Sequence, residues 1–176
     1  SLLLVVTVTG CGMFSDPKTA DPKDFTLEGL TITLTDAFRN LEVEGATGGY
    51  QSKDCALFLI KEPFDLLENG DELTLEEYVE RVKTKNGIDV EIKTEENLTY
   101  FERTASADGV EFGYYSVFYQ APDAFWLLQF TCETKDYEEY RPYFVNWAKT
   151  VTFDAAYFII FSKAGHAEPA RPAFCM

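Results

Sequence analysis

The reactive inventory of this chain is small: four cysteines, at 11, 55, 132 and 175, one histidine at 166, and 30 acidic residues. No two cysteines form a Cys-x-x-Cys pair, and one histidine cannot complete a Cys/His set, so zinc of that type is excluded by inventory. Nucleophilic catalysis needs a base beside the nucleophile, and His166 stands alone in a segment of atypical composition. Ser15 and Lys18 have Ser-x-x-Lys spacing but lack the companion motifs of the enzymes that use it. Gly45-Ala46-Thr47-Gly48-Gly49 lacks the Gly-Lys-Ser/Thr ending of a phosphate loop and reads as a turn. No metal site and no cofactor is expected.

Carboxylates are plentiful, in the pairs Asp71/Glu72, Glu76/Glu77, Glu95/Glu96 and Glu138/Glu139. Acid–base catalysis needs two that face each other across a cleft, in environments that separate their pKa values. Adjacent residues on a helix or strand point apart, so each pair reads as a solvated face. The oxygens of residues 68–73 (ENGDEL) lack calcium-loop spacing. A cell-envelope hydrolase acting on glycan or peptide through carboxylates that the sequence does not pair is the alternative to a binding module. Cys55 opens one predicted strand and Cys132 ends another. A disulfide needs Cα atoms within about 7 Å, which neighbouring strands allow; two buried free thiols are the other outcome. The aromatic residues, among them Tyr114, Tyr115, Phe118, Tyr119, Trp126 and Trp147, fall at core spacing and read as packing rather than as a carbohydrate platform.

Composition narrows the partners. With 176 residues, 46% of them hydrophobic, the chain can build one sizeable core. Its formal net charge of −15 repels a phosphate backbone, so no nucleic-acid partner is expected, and no basic patch docks it to anionic lipid. The acidic surface reads first as a solvated face, with a cation or a basic protein partner as the sharper alternative.

The opening run, LLLVVTVTGCG over residues 2–12, has the β-branched content of a strand but also the apolar core and small residues of a signal peptide. Val8-Thr9-Gly10-Cys11 resembles a bacterial lipobox: aliphatic, small, glycine, then the cysteine that receives lipid. The resemblance implies a truncated lipoprotein signal peptide over 1–10, cleavage before Cys11 and diacylglycerol on its sulfur. That anchor would hold the protein on the outer face of a bacterial membrane. Residues 12–24 repeat Asp-Pro-Lys and read as a flexible tether, which at ~3.5 Å per residue spans up to ~45 Å. A buried first strand is the competing reading of the run.

The elements that would position any site begin at Phe25. Strands are predicted at 30–35, 47–52, 55–61, 89–93, 98–105, 110–120 and 124–133, with a closing strand at 149–153. The strands at 110–120 and 124–133 are apolar on both faces and therefore central. Thr74 and Glu77 form a capping box, Leu75, Tyr78, Val79 and Val82 make one apolar stripe, and Asn86-Gly87 stops the helix. A second helix carries Tyr140, Tyr143, Phe144 and Trp147, with its start expected near Tyr140 so that Pro142 falls in the first turn. Residues 154–176 shift to an Ala- and Pro-rich composition and are expected to lie outside the fold as a disordered tail.

The order of elements, from FTLEGLTITL (25–34) through LEEYVERV (75–82), DGVEFGYYSVFY (108–119) and AFWLLQFTC (124–132) to VTF (151–153), is similar to the Mog1/PsbP-like superfamily. That resemblance implies one α+β domain over 25–153, an α/β/α sandwich with a central antiparallel sheet and two main helices. It also implies a binding or accessory role; no family site residue maps onto this sequence.

Overall fold

The computed structural model describes residues 15–154. The lipobox-like run, Cys11, His166, Cys175 and the C-terminal segment lie outside the described residues.

Short hairpins dictate the topology. Strands β1 (Pro22–Leu27) and β2 (Leu30–Thr35) pair antiparallel. They turn at Glu28-Gly29, where both residues take positive φ, 46° and 83°. That is the twist-matched two-residue turn of β-hairpins. After β3 (Arg39–Asn40), β4 (Gly48–Gln51) and β5 (Cys55–Pro63) comes helix α1 (Leu75–Asn86). Strands β6 (Lys93–Glu95), β7 (Leu98–Ala107), β8 (Val110–Gln120) and β9 (Ala124–Glu133) follow. Asp108-Gly109, at φ 49° and 81°, makes the same kind of turn between β7 and β8. Helix α2 (Thr134–Ala148) and β10 (Thr152–Phe153) complete the domain.

Seven strands form one antiparallel sheet in the order β3-β4-β5-β9-β8-β7-β6, and β1-β2-β10 form a second, three-stranded sheet. The large sheet is covered on both faces, which is why β9 is buried along almost its whole length. On one face Tyr115, Val117, Trp126, Leu128 and Phe130 meet α2 and the inner side of β2. There Phe130 stacks on Phe144 at 5.2 Å, and Phe38 meets Trp147 edge-on at 5.2 Å. On the other face Phe118, Phe125 and Leu127 meet Tyr78 and Val79 of α1. The predicted α+β sandwich with two helices on an antiparallel sheet is the observed class.

Three local expectations are corrected. Helix α2 begins at Thr134, not near Tyr140, and Pro142 lies inside it. Its apolar stripe reaches back through Tyr137, so packing favours helix across the proline. Pro142 and Glu138 are both exposed, so water can serve the carbonyl that the missing N–H leaves unpaired. Residues 16–24 are not a loose tether. Pro17 is buried and its carbonyl accepts from Thr35 Oγ1 at 3.1 Å. Lys18 reaches Glu139 on α2 at 2.5 Å, and β1 already starts at Pro22. Residues 89–92 of the strand expected at 89–93 are not strand, since β6 starts only at Lys93, and the strand expected at 149–153 shrinks to the two residues of β10. Their side chains lack the double-faced apolar pattern that extends β8 and β9.

Candidate functional site: a cavity beneath the first helix

Helix α1 is placed by its own sequence. Thr74 Oγ1 accepts from the Glu77 backbone N–H at 3.2 Å, and Glu77 Oε2 accepts from the Thr74 N–H at 2.9 Å. Gly87, at φ 64°, closes the other end in the left-handed conformation that glycine tolerates. The stripe then lands on the sheet. Tyr78 stacks on Phe125 with ring centres 4.3 Å apart, and its hydroxyl donates to Glu62 Oε2 at 2.6 Å. Burial in this contact pushes the Tyr78 hydroxyl far above its ordinary pKa, helped by the Glu62 charge.

Beside that contact the sheet floor falls away. Register aligns Phe101 of β7, Ser116 of β8, Gln129 of β9 and Phe58 of β5 in one cross-strand row. Ser116 and Gln129 are shorter or more polar than the Phe118 and Leu127 of the row under Tyr78. A cavity of about 750 Å³ opens between this row and α1, walled by Ile60, Val82, Ile88, Phe101 and Leu127. That lies within the ~300–1,000 Å³ usual for small-molecule pockets, and the largely apolar wall is equally usual.

The polar groups on its floor are held unlike those at its rim. Gln129 is 4% exposed, yet its Nε2 has no hydrogen-bond partner. Ser116 is 2% exposed. Arg103, two residues along β7 from Phe101, lays its guanidinium over the Tyr114 ring at 4.3 Å. It pairs with no carboxylate among the described residues, and burial lowers its pKa from the ordinary guanidinium value. At the rim, by contrast, Arg81 donates to the Glu68 carbonyl at 2.9 Å, Lys83 pairs with Glu80 at 3.2 Å, and Glu77 is occupied in the capping box. The floor therefore holds a cation and an amide without partners of complementary charge or donor sense.

Of the carboxylates singled out by sequence, only Glu76 and Glu77 border the cavity, at its rim. The carboxylates of Asp71/Glu72, Glu76/Glu77, Glu95/Glu96 and Glu138/Glu139 are all exposed. Among the described residues no three His, Cys, Asp or Glu side chains cluster as metal ligands would. Cys55 and Cys132 are paired directly across β5 and β9, both buried and both free thiols. Burial, aided by Asp136 and Glu133, pushes the Cys132 thiol up to about 12. Cys55 rises further for the same reason, against a contact with the Ser52 hydroxyl at 3.1 Å. Neither is a ready nucleophile in this state. Sequence reading missed Arg103, Ser116 and Gln129; the available signal was one polar residue inside each of two otherwise apolar strands, YYSVFY and WLLQF.

On the opposite face Glu102 ties β7 to α2. It accepts from Arg141 Nε and Nη2 at 2.9 and 3.0 Å and from the Tyr137 hydroxyl at 2.7 Å. Burial alone would raise the Glu102 carboxyl, but the bonds from Arg141 and Tyr137 outweigh it and hold the group below its ordinary value. Tyr137 fits because Gly113 leaves room for its ring. This clamp faces away from the cavity and serves the packing of α2.

No protein-family model and no curated protein sequence matches the chain. Solved structures do. The solution structure of cyanobacterial PsbP (CyanoP) from Synechocystis matches with a TM-score of 0.56 at 14% identity, over 84% of this chain and 99% of that one. A crystal structure from Bacteroides thetaiotaomicron matches at 0.48 and 11% identity, over 75% of this chain and 48% of that one. A Pseudomonas aeruginosa protein of unknown function matches at 0.39 and 11%, over 88% and 100%. The domain has a PsbP-like fold.

Proposed function

We propose that the protein is a lipid-anchored binding or accessory module on the outer face of a bacterial membrane, without catalysis of its own. The observation that carries this reading is Val8-Thr9-Gly10-Cys11, a lipobox-like run directly ahead of a PsbP-like domain. Diacylglycerol on Cys11 supplies two acyl chains, enough for stable attachment without a basic patch. A chain of net charge −15 gains nothing from anionic headgroups, which repel it, so attachment rests on the anchor. The packing of Pro17 and Lys18 bears on geometry: only residues 12–16 separate Cys11 from the packed chain, at most ~18 Å. The domain would work at the membrane surface, not at the end of a long tether. The unpartnered floor of the cavity supports binding over catalysis, since the exposed carboxylate pairs offer no facing acid and base.

Metabolic labelling with a fatty-acid analogue in a bacterial host tests the reading. The wild type is expected to carry the label and Cys11→Ala to lose it. Label retained in Cys11→Ala, or none on the wild type, contradicts the anchor.

A further inference from the structure

We propose that the cavity beneath α1 binds a small amphiphilic monocarboxylate, its apolar body against Ile60, Val82, Phe101 and Leu127 and its carboxylate held by Arg103 with Gln129 and Ser116. The inference rests on the reading of the protein as a binding module and is independent of the anchor. Three observations converge on it. The cavity has the volume of a small-molecule site and a mainly apolar wall. Gln129 keeps a buried amide without a partner, a state that destabilises the unliganded protein unless something else accepts the bond. Arg103 keeps a half-buried guanidinium over Tyr114 without a carboxylate among the described residues.

Register makes the three groups able to act together. Ser116 lies directly opposite both Phe101 and Gln129, and Arg103 lies opposite Tyr114, two residues from Ser116 on the same face of β8. Diagonal neighbours on a sheet face are about 7–8 Å apart at Cα, within reach of an arginine side chain. Guanidinium, amide N–H₂ and hydroxyl are all donors, and a carboxylate is the planar acceptor that a guanidinium matches with two parallel bonds. A multiply charged phosphate fits worse, because around the opening the carboxylates Glu62, Glu76, Glu77 and Glu80 outnumber the cations Arg81 and Lys85 and disfavour a second negative charge. A cationic ligand would meet Arg103 at the floor.

The experiment compares three head groups on one tail. Decanoate, decanol and decyltrimethylammonium, each below its micelle concentration, are titrated calorimetrically into the full chain at neutral pH. Decanoate is expected to bind at least tenfold more tightly than decanol, and the ammonium ion not to bind. Arg103→Gln is expected to erase the difference between acid and alcohol, and Gln129→Leu to weaken decanoate about three- to tenfold. Equal affinity for acid and alcohol, tighter binding of the cation, or no binding of any of the three overturns the proposal. The wild-type comparison decides even if a variant fails to fold. Fatty-acid labelling at Cys11 is unaffected by any of these outcomes, so the cavity and the anchor stand or fall separately.

Discussion

A residue kept for a ligand at the expense of stability should stabilise the protein when it is removed. Gln129 is such a residue: it is 4% exposed, and its Nε2 has no partner. Leaving a buried amide unpaired costs about 1–3 kcal/mol, whereas replacing it with an apolar group of similar shape removes that penalty. Leucine is close to glutamine in size, and position 129 sits between Phe58 of β5 and Ser116 of β8, so no large void opens. Gln129→Leu is therefore expected to stabilise the unliganded protein by about 1–3 kcal/mol. At ~2–4 °C per kcal/mol for a domain near this size, Tm should rise by ~2–12 °C. Urea denaturation followed by tryptophan fluorescence is the assay, since Trp126 and Trp147, 0% and 7% exposed, both report core exposure. The midpoint should move up with an unchanged slope. A loss of 1 kcal/mol or more at constant slope would show the opposite, that the carboxamide holds the sheet together and does not wait for a ligand.

Other parts of the fold make equally definite claims. A Cβ at Gly113 would sit 2.3 Å from the Tyr137 ring, so Gly113→Ala should displace the ring, break its bond to Glu102 and cost about 1–3 kcal/mol in the same urea assay. Glu102→Gln should cost about 1–2 kcal/mol at pH 7, discounted for the partial exposure of Arg141. Because the folded carboxyl titrates below its unfolded value, that contribution is present at neutral pH and is lost as pH falls below about 4. Wild type and Glu102→Gln should therefore draw together in stability as pH falls from neutral through the carboxylate range, and a difference that stays constant across that range would contradict the clamp. For Cys55 and Cys132, which face each other across β5 and β9, we propose that oxidising conditions close a bridge. Protein from an oxidising compartment, alkylated before reduction, should gain no mass at these two thiols; two labelled thiols in the unfolded, unreduced protein would rule the bridge out.

What sequence disclosed and what it hid follow a physical division. Helix α1 was legible because Thr74, Glu77, the stripe through Tyr78 and Val79, and Asn86-Gly87 all act within a few residues of one another. Strands β8 and β9 were legible because double-faced apolar runs can only be central. The start of α2 was misplaced because Pro142 is a strong local signal, whereas the packing that carries the helix through it is tertiary. The stretch before Phe25 read as tether because it has two prolines and no apolar period. Yet β1 needs only backbone pairing with β2, and Pro22 is tolerated where it opens an edge strand. The cavity was hidden for a different reason. Arg103, Ser116 and Gln129 come from three strands, and only register and the position of α1 make them neighbours.

The anchor is the central claim, and intact mass spectrometry of the protein recovered from the membrane fraction of a bacterial host tests it most directly. The expected species has its mature N-terminus at Cys11, carries a diacylglycerol thioether and lacks Val8-Thr9-Gly10. A chain that still contains residues 2–10 and bears an unmodified Cys11 would contradict it, and would return LLLVVTVT to its competing reading as a strand.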